Sequence, residues 1–151
     1  MIKLETLGMH KNIKNDPTVK AHADIDNGYV FTIGAGHVTA APTADTAKGV
    51  DLWFAHNERY DDNRYTDAKI AAGEYVNAYL LKEFDHQNLI IDEDSLTTAY
   101  ASLAVGDTMV VDTNGKFAKE TTLTGYKVYV TIVEKMKYGT KDAVRAQVVL
   151  G

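Results

Sequence analysis

Cysteine is absent from this sequence. That removes disulfides, thiolate nucleophiles, zinc ribbons and iron–sulfur clusters together, and it leaves the redox compartment undecided. Serine is scarce: Ser95 and Ser102 are the only two, and neither lies in a Gly-x-Ser-x-Gly elbow. Long apolar runs are also missing. The opening Met-Ile-Lys-Leu-Glu-Thr-Leu-Gly-Met-His lacks the apolar core of a secretory signal, and no later run approaches the ~20 residues that span a bilayer. The expectation is a chain that is neither exported by such a signal nor inserted in a membrane.

Other catalytic and cofactor signatures are missing too. No Gly-x-x-x-x-Gly-Lys-Ser/Thr phosphate loop occurs. Gly34-Ala35-Gly36 begins like a dinucleotide fingerprint, but the third glycine position is Thr39 and Pro42 opposes the helix that must follow. The five histidines, His10, His22, His37, His56 and His86, fall singly, without the paired spacing of a zinc site. Asp24-Ile25-Asp26-Asn27-Gly28 starts like a calcium loop, yet its twelfth position is Ala35 instead of glutamate. Asp61-Asp62 and Asp92-Glu93-Asp94 are hard-ligand candidates that read more simply as solvated loops. Two carboxylates for glycoside hydrolysis can come from anywhere in a fold, but a chain this short has few residues left over to build a cleft. The expectation is a protein that is not an enzyme, with no cofactor, no catalytic residues and no metal site.

What is present fits one ordinary globular domain. At 151 residues, folding buries about 68–70% of the unfolded surface, so no covalent staple is needed. The hydrophobic fraction of 45% and charged fraction of 25% argue against disorder. Net charge is −5 and uneven: residues 51–94 hold 11 acids against 4 bases, and residues 116–151 hold 7 bases against 3 acids. Such a split permits head-to-tail docking on a partner or a like copy, although charge runs are more often solvated faces. Direct nucleic-acid binding is disfavoured without a net basic footprint.

Along the chain, residues 1–17 alternate lysines with apolar residues and end at Pro17. They read as an N-terminal arm ahead of a single β-rich domain over residues 18–151. Residues 19–25 and 29–33 flank Asp26-Asn27-Gly28, and residues 108–112 and 116–118 flank Thr113-Asn114-Gly115. Asn-Gly between β-favouring runs predicts two hairpins. Gly34-Ala35-Gly36 ends a strand, and residues 39–49 read as a loop. Strands are predicted over residues 50–55, 88–91, 126–133 and 143–150. Residues 70–84 fit either period, and Gly73 favours a strand over 74–81. Asp94 or Ser95 caps a short helical turn that ends at Gly106. The predicted fold is mainly β, a compact sandwich or small barrel with two Asn-Gly hairpins and at most one or two short helices.

Binding candidates are aromatic and basic. Trp53, Phe54, Tyr60 and Tyr65 lie close in sequence, the tyrosines beside Arg59 and Arg64. Tyr, Trp and Arg dominate interface hot spots, whereas Trp53 and Phe54 fit a core role better.

The order of features resembles the head decoration (cement) proteins of tailed bacteriophages of Gram-positive hosts. The resemblance rests on Val19-Lys20-Ala21 with Asp26-Asn27-Gly28-Tyr29-Val30, on Ala72-Gly73-Glu74-Tyr75-Val76-Asn77-Ala78-Tyr79, and on Leu103-Ala104-Val105-Gly106-Asp107-Thr108-Met109-Val110-Val111 with Asn114-Gly115-Lys116. It implies a structural virion protein, made in the host cytoplasm, that sits on the outer capsid surface. There it would bridge major capsid subunits, with copies of itself as a second partner and no contact with nucleic acid or membrane. On that reading Leu4, Leu7 and Ile13 supply apolar contact and Lys3, Lys11 and Lys14 meet acidic capsid surface. Arg59, Tyr60, Arg64 and Tyr65 add a second contact. A tail or baseplate β-module and a carbohydrate-binding module are the alternatives, the latter favoured by a solvent-exposed Trp53.

Overall fold

The structure is a computed structural model that describes residues 1–4, 14–57 and 69–151. Strand is the dominant regular structure of the described chain. In chain order the strands are β1 (Ile2–Leu4), β2 (Asn15–Lys20), β3 (Ile25–Asp26), β4 (Val30–Ile33), β5 (Thr39–Ala40), β6 (Trp53–Ala55) and β7 (Lys69–Ile70). They continue with β8 (Tyr75–Leu80), β9 (Asn88–Asp92), β10 (Thr108–Val111), β11 (Phe117–Lys119), β12 (Val128–Tyr138) and β13 (Lys141–Leu150). The helical pieces among the described residues are 3₁₀ turns of three or four residues. The mainly β fold follows.

The strands form a six-stranded sheet ordered β1-β9-β13-β12-β10-β11, a five-stranded sheet ordered β2-β8-β6-β4-β5, and the small pair β3-β7. All of these pairings are antiparallel. The five-stranded sheet curls until its edges approach: the Lys20 amide donates to the His37 carbonyl at 3.1 Å, and Lys20 bridges Val38.

Alternation along the strands builds two cores. Ile2, Leu89, Ile91, Val111, Val130, Val144 and Val148 of the large sheet meet Val30 and Phe54 of the curled one, with Tyr79 packed alongside. The neighbouring residues of the same strands point the other way. Phe31, Trp53, Ala55, Val76, Ala78 and Leu80 line the inside of the curl with Val19, Ile25 and Ile70. A strand buried on both faces reads as a continuous apolar run, which is why Trp53-Phe54-Ala55 shows no polar alternation.

The two Asn-Gly turns have different fates. Thr113-Asn114-Gly115 closes a hairpin as predicted, with Val111 opposite Phe117 and Met109 opposite Lys119. Asn27-Gly28 is a turn, with the Tyr29 amide on the Asp26 carbonyl at 3.0 Å, but no hairpin. Its flanking strands pair elsewhere: β3 with β7, and β4 with β5 and β6. A turn dipeptide sets only the chain reversal, and the long-range partners were won by Ile70 and Phe54.

Both glycines sit where the layers touch. Gly28, at φ +93°, lies so close to the Met1–Ile2 backbone that a Cβ would fall 2.4 Å from the Ile2 nitrogen. Gly115, at φ +69°, accepts a hydrogen bond from the Val30 amide at 2.8 Å and lies against the Tyr29 ring.

Other expectations shift in detail. The strand predicted over 74–81 is β8, and a 3₁₀ turn, Leu81–Phe84, follows it. The stretch read as a loop from Thr39 opens with β5, paired to β4 through Ile33 and Thr39. The predicted helical turn is two 3₁₀ turns, and Asp92, rather than Asp94 or Ser95, caps the first by accepting the Ser95 amide. The ends of the predicted arm are built into the sheets. Ile2 pairs with Ile91 and is fully buried, and Asn15 pairs with Tyr79 on β8. Pro17 is accommodated because β2 is an edge strand, bulged between Asp16 and Val19.

Candidate binding surface

Of the residues singled out in the sequence, Leu7, Lys11, Ile13, Arg59, Tyr60, Arg64 and Tyr65 lie outside the described residues, as does Asp61-Asp62. The others are divided between the layers. Lys3 belongs to the large sheet, where its ammonium stands 4.9 Å from the centre of the Tyr138 ring. Leu4 pairs with Leu89 on β9. Lys14 leads into β2 of the curled sheet, and its ammonium covers the Trp53 indole at 5.4 Å.

Lys14 and Trp53 border an open cleft of about 510 Å³, shared with Thr32, Ile33, Val50 and Asp51. Its size falls within the range of small-molecule sites. Trp53 itself is only 7% exposed and belongs to the inner core. The solvent-exposed tryptophan that would favour a carbohydrate-binding module is therefore not Trp53.

The acidic candidates are engaged in the protein. Asp92 is buried, receives the Met1 ammonium, and shares that group with Ser95 Oγ at 2.6 Å. Burial lowers the pKa of this amine below its ordinary value despite the attraction of Asp92. Asp94 pairs with Lys141. Asp24 accepts the Ala72 amide at 2.9 Å, and the Asp26 carbonyl closes the Asn27-Gly28 turn. Among the described residues no three His, Asp or Glu side chains gather as metal ligands, and no helix is long and apolar enough to cross a membrane.

The charge split is largely consumed within the fold. Lys119 pairs with Asp107 at 2.7 Å, Lys137 with Asp142 at 2.8 Å and Arg145 with Glu134 at 3.2 Å. Lys135 donates to the Tyr100 and Leu103 carbonyls. Most of the C-terminal bases thus have partners already, which weakens the argument for docking by bulk charge.

A second concavity was not foreseen from the sequence. Along β8 the residues of one face, Tyr75, Asn77 and Tyr79, stand beside Pro17 of β2 and Asn57 at the end of β6, around a groove of about 360 Å³. Amide groups fix its floor. The Asn77 backbone amide donates to Asn57 Oδ1 at 2.7 Å, and Asn57 Nδ2 donates to the Tyr75 carbonyl at 2.9 Å. Behind them Asn27 and Asn57 exchange two hydrogen bonds, at 2.9 and 3.1 Å. Asn15 Nδ2 donates to Asn77 Oδ1, and Asn77 Nδ2 donates to the Tyr79 oxygen, both at 3.2 Å. The signal in the sequence was the polar half of the alternation Tyr75-x-Asn77-x-Tyr79. By itself that alternation announces only a strand, because Asn15 and Asn57 come beside it only through long-range contacts.

Comparison with protein families, with curated proteins and with solved structures finds no match to this chain.

Proposed function

We propose that the protein is an adhesive structural component of a virion, bound to the outer capsid surface and bridging major capsid subunits. The observation supporting this reading is where the resembling segments fall. They cover the end of β2, the turn into β4, most of β8, and β10 with the turn that follows it, and they include Gly28 and Gly115, where the two layers touch. A module that touches several subunits raises the free energy of their separation, and many copies multiply the effect.

The test is co-sedimentation of the purified chain with expanded, DNA-free heads. Saturable binding with a fixed ratio to the major capsid protein is expected, together with greater resistance of the heads to heat. Absence of binding at micromolar protein would refute the reading. Because β1 belongs to the core, the arm is tested by replacing residues 5–13 with a Gly/Ser linker of equal length, not by deletion. Undiminished occupancy of that variant removes Leu7, Lys11 and Ile13 from the account.

A further inference from the structure

The geometry points to the groove formed by Tyr75, Asn77, Tyr79, Asn57 and Pro17 as a binding site for a neutral saccharide. This goes beyond capsid adhesion and does not depend on it.

Three features carry the inference. The first is the lining: among the described residues, every side chain lining the groove is an amide, a phenol or a proline, which suits a ligand of hydroxyls better than a phosphate or a uronate. The second is directionality. Asn15, Asn77 and Tyr79 form a one-way relay. Among the described contacts it leaves Asn15 Oδ1 as a spare acceptor at one end and the Tyr79 hydroxyl proton as a spare donor at the other. Sugar hydroxyls both donate and accept, so a saccharide can satisfy both ends. The third is an aromatic wall. Tyr75 is 60% exposed, and the C–H face of a pyranose packs on the side of such a ring away from the Lys20 ammonium, which stands 5.2 Å from its centre.

The groove is also held in place before any ligand arrives. The Asn57 side-chain amide is tied at both ends to backbone groups of β8, and the Asn77 side-chain amide is held between Asn15 and Tyr79, so binding need not order them. Asp16, the nearest acid on β2, is occupied by Thr18 and by His37 Nε2 at 2.9 Å.

The full chain is titrated with neutral di- to tetrasaccharides built from glucose, galactose and N-acetylhexosamines, with sialylated counterparts beside them. Saturation-transfer NMR and calorimetry read the binding. Neutral members are expected to bind. Tyr75→Ala should weaken them about tenfold or more, and Asn15→Ala and Tyr79→Phe should each weaken them too. Lys137→Ala, on β12 of the large sheet, should leave binding unchanged. Tyr75 lies outside both cores, so Tyr75→Ala should also keep the wild-type melting temperature, which separates lost binding from lost folding. Saturation transfer from none of the neutral sugars would overturn the assignment, as would binding indifferent to Tyr75→Ala or a preference for the sialylated set. Head co-sedimentation of the same variants is read separately, so failure of the sugar site leaves the capsid reading standing, and the reverse.

Discussion

Replacing Gly115 with alanine asks how closely the large sheet and the curled sheet must approach. At φ +69° an L side chain costs about 1–2 kcal/mol in backbone strain. The new Cβ would sit 2.3 Å from Tyr29 Cε2 and 2.4 Å from the Val30 carbonyl oxygen. The Tyr29 ring can turn aside, but the carbonyl belongs to β4 and cannot. Forcing the hairpin away costs about 1–3 kcal/mol of overpacking. It also breaks the 2.8 Å bond from the Val30 amide to Gly115, worth about 0.5–1.5 kcal/mol. The expected loss is about 3–5 kcal/mol, a large share of the roughly 5–15 kcal/mol that holds a domain together. For a chain of this length it lowers Tm by roughly 10 °C.

The control is Gly73→Ala. Gly73 has φ +82° but nothing within 4 Å of an added Cβ, so only the strain remains, about 1–2 kcal/mol. Urea unfolding of both variants, with the slope of free energy on denaturant unchanged, isolates the contact contribution. Gly28→Ala should match Gly115→Ala, because its Cβ meets the Met1–Ile2 backbone. Equal losses for Gly115→Ala and Gly73→Ala would refute the reasoning, since backbone strain alone would then explain both.

Lys14→Ala should uncover the single tryptophan: a red-shifted Trp53 emission and stronger acrylamide quenching are expected, with a stability change below about 1 kcal/mol. An unchanged spectrum would mean the lysine does not shield the indole. Asp92→Asn leaves the buried Met1 ammonium without its counter-charge and should cost about 3–5 kcal/mol in urea unfolding. The folded amine already titrates below its ordinary value of 8.0, so its contribution is complete above pH 8 and is lost as pH falls through the folded pKa. The variant should move that loss to lower pH, and a flat profile in both proteins would contradict the assignment. Asp112 is half-buried, which pushes its pKa up, but bonds from Thr97, Lys116 and Asn114 outweigh burial and hold it below the usual carboxylate value. Its contribution is therefore present above pH 4 or so and lost on acidification. Asp112→Ala should cost about 1–3 kcal/mol at neutral pH and remove that part of the acid transition.

How much of this was legible depends on the range of the interaction. Local chemistry was readable: Asn114-Gly115 closes a hairpin because the strands on either side of it belong together, and the alternation in β12 and β13 announces their strands. Partner choice was not readable. Asn27-Gly28 carries the same dipeptide, yet its neighbours Ile25 and Val30 pair with Ile70 and Phe54, residues 45 and 24 positions away. Nothing in a turn encodes where the emerging strand will find its apolar complement. Burial on both faces hid the rest, since Trp53-Phe54-Ala55 signals that two cores exist without saying which residue serves which.

The groove shows the same limit from the functional side. Asn57 and Asn77 lie 20 positions apart, and Asn15 and Asn77 lie 62 apart. Each asparagine alone looks like an ordinary polar residue on a strand or beside a loop. Only the pairing of β2 with β8, and of β6 with β8, turns scattered amides into one hydrogen-bonded surface with an acceptor at one end and a donor at the other. A site of this kind has no motif to find, because its spacing is set by strand register. A one-residue slip of β2 against β8 would exchange Asn15 for Asp16 on the groove face and put a carboxylate where an amide now stands. The Asp16–Val19 bulge and the core position of Val19 fix that register, so the apolar packing inside the curl determines which polar groups face outward together.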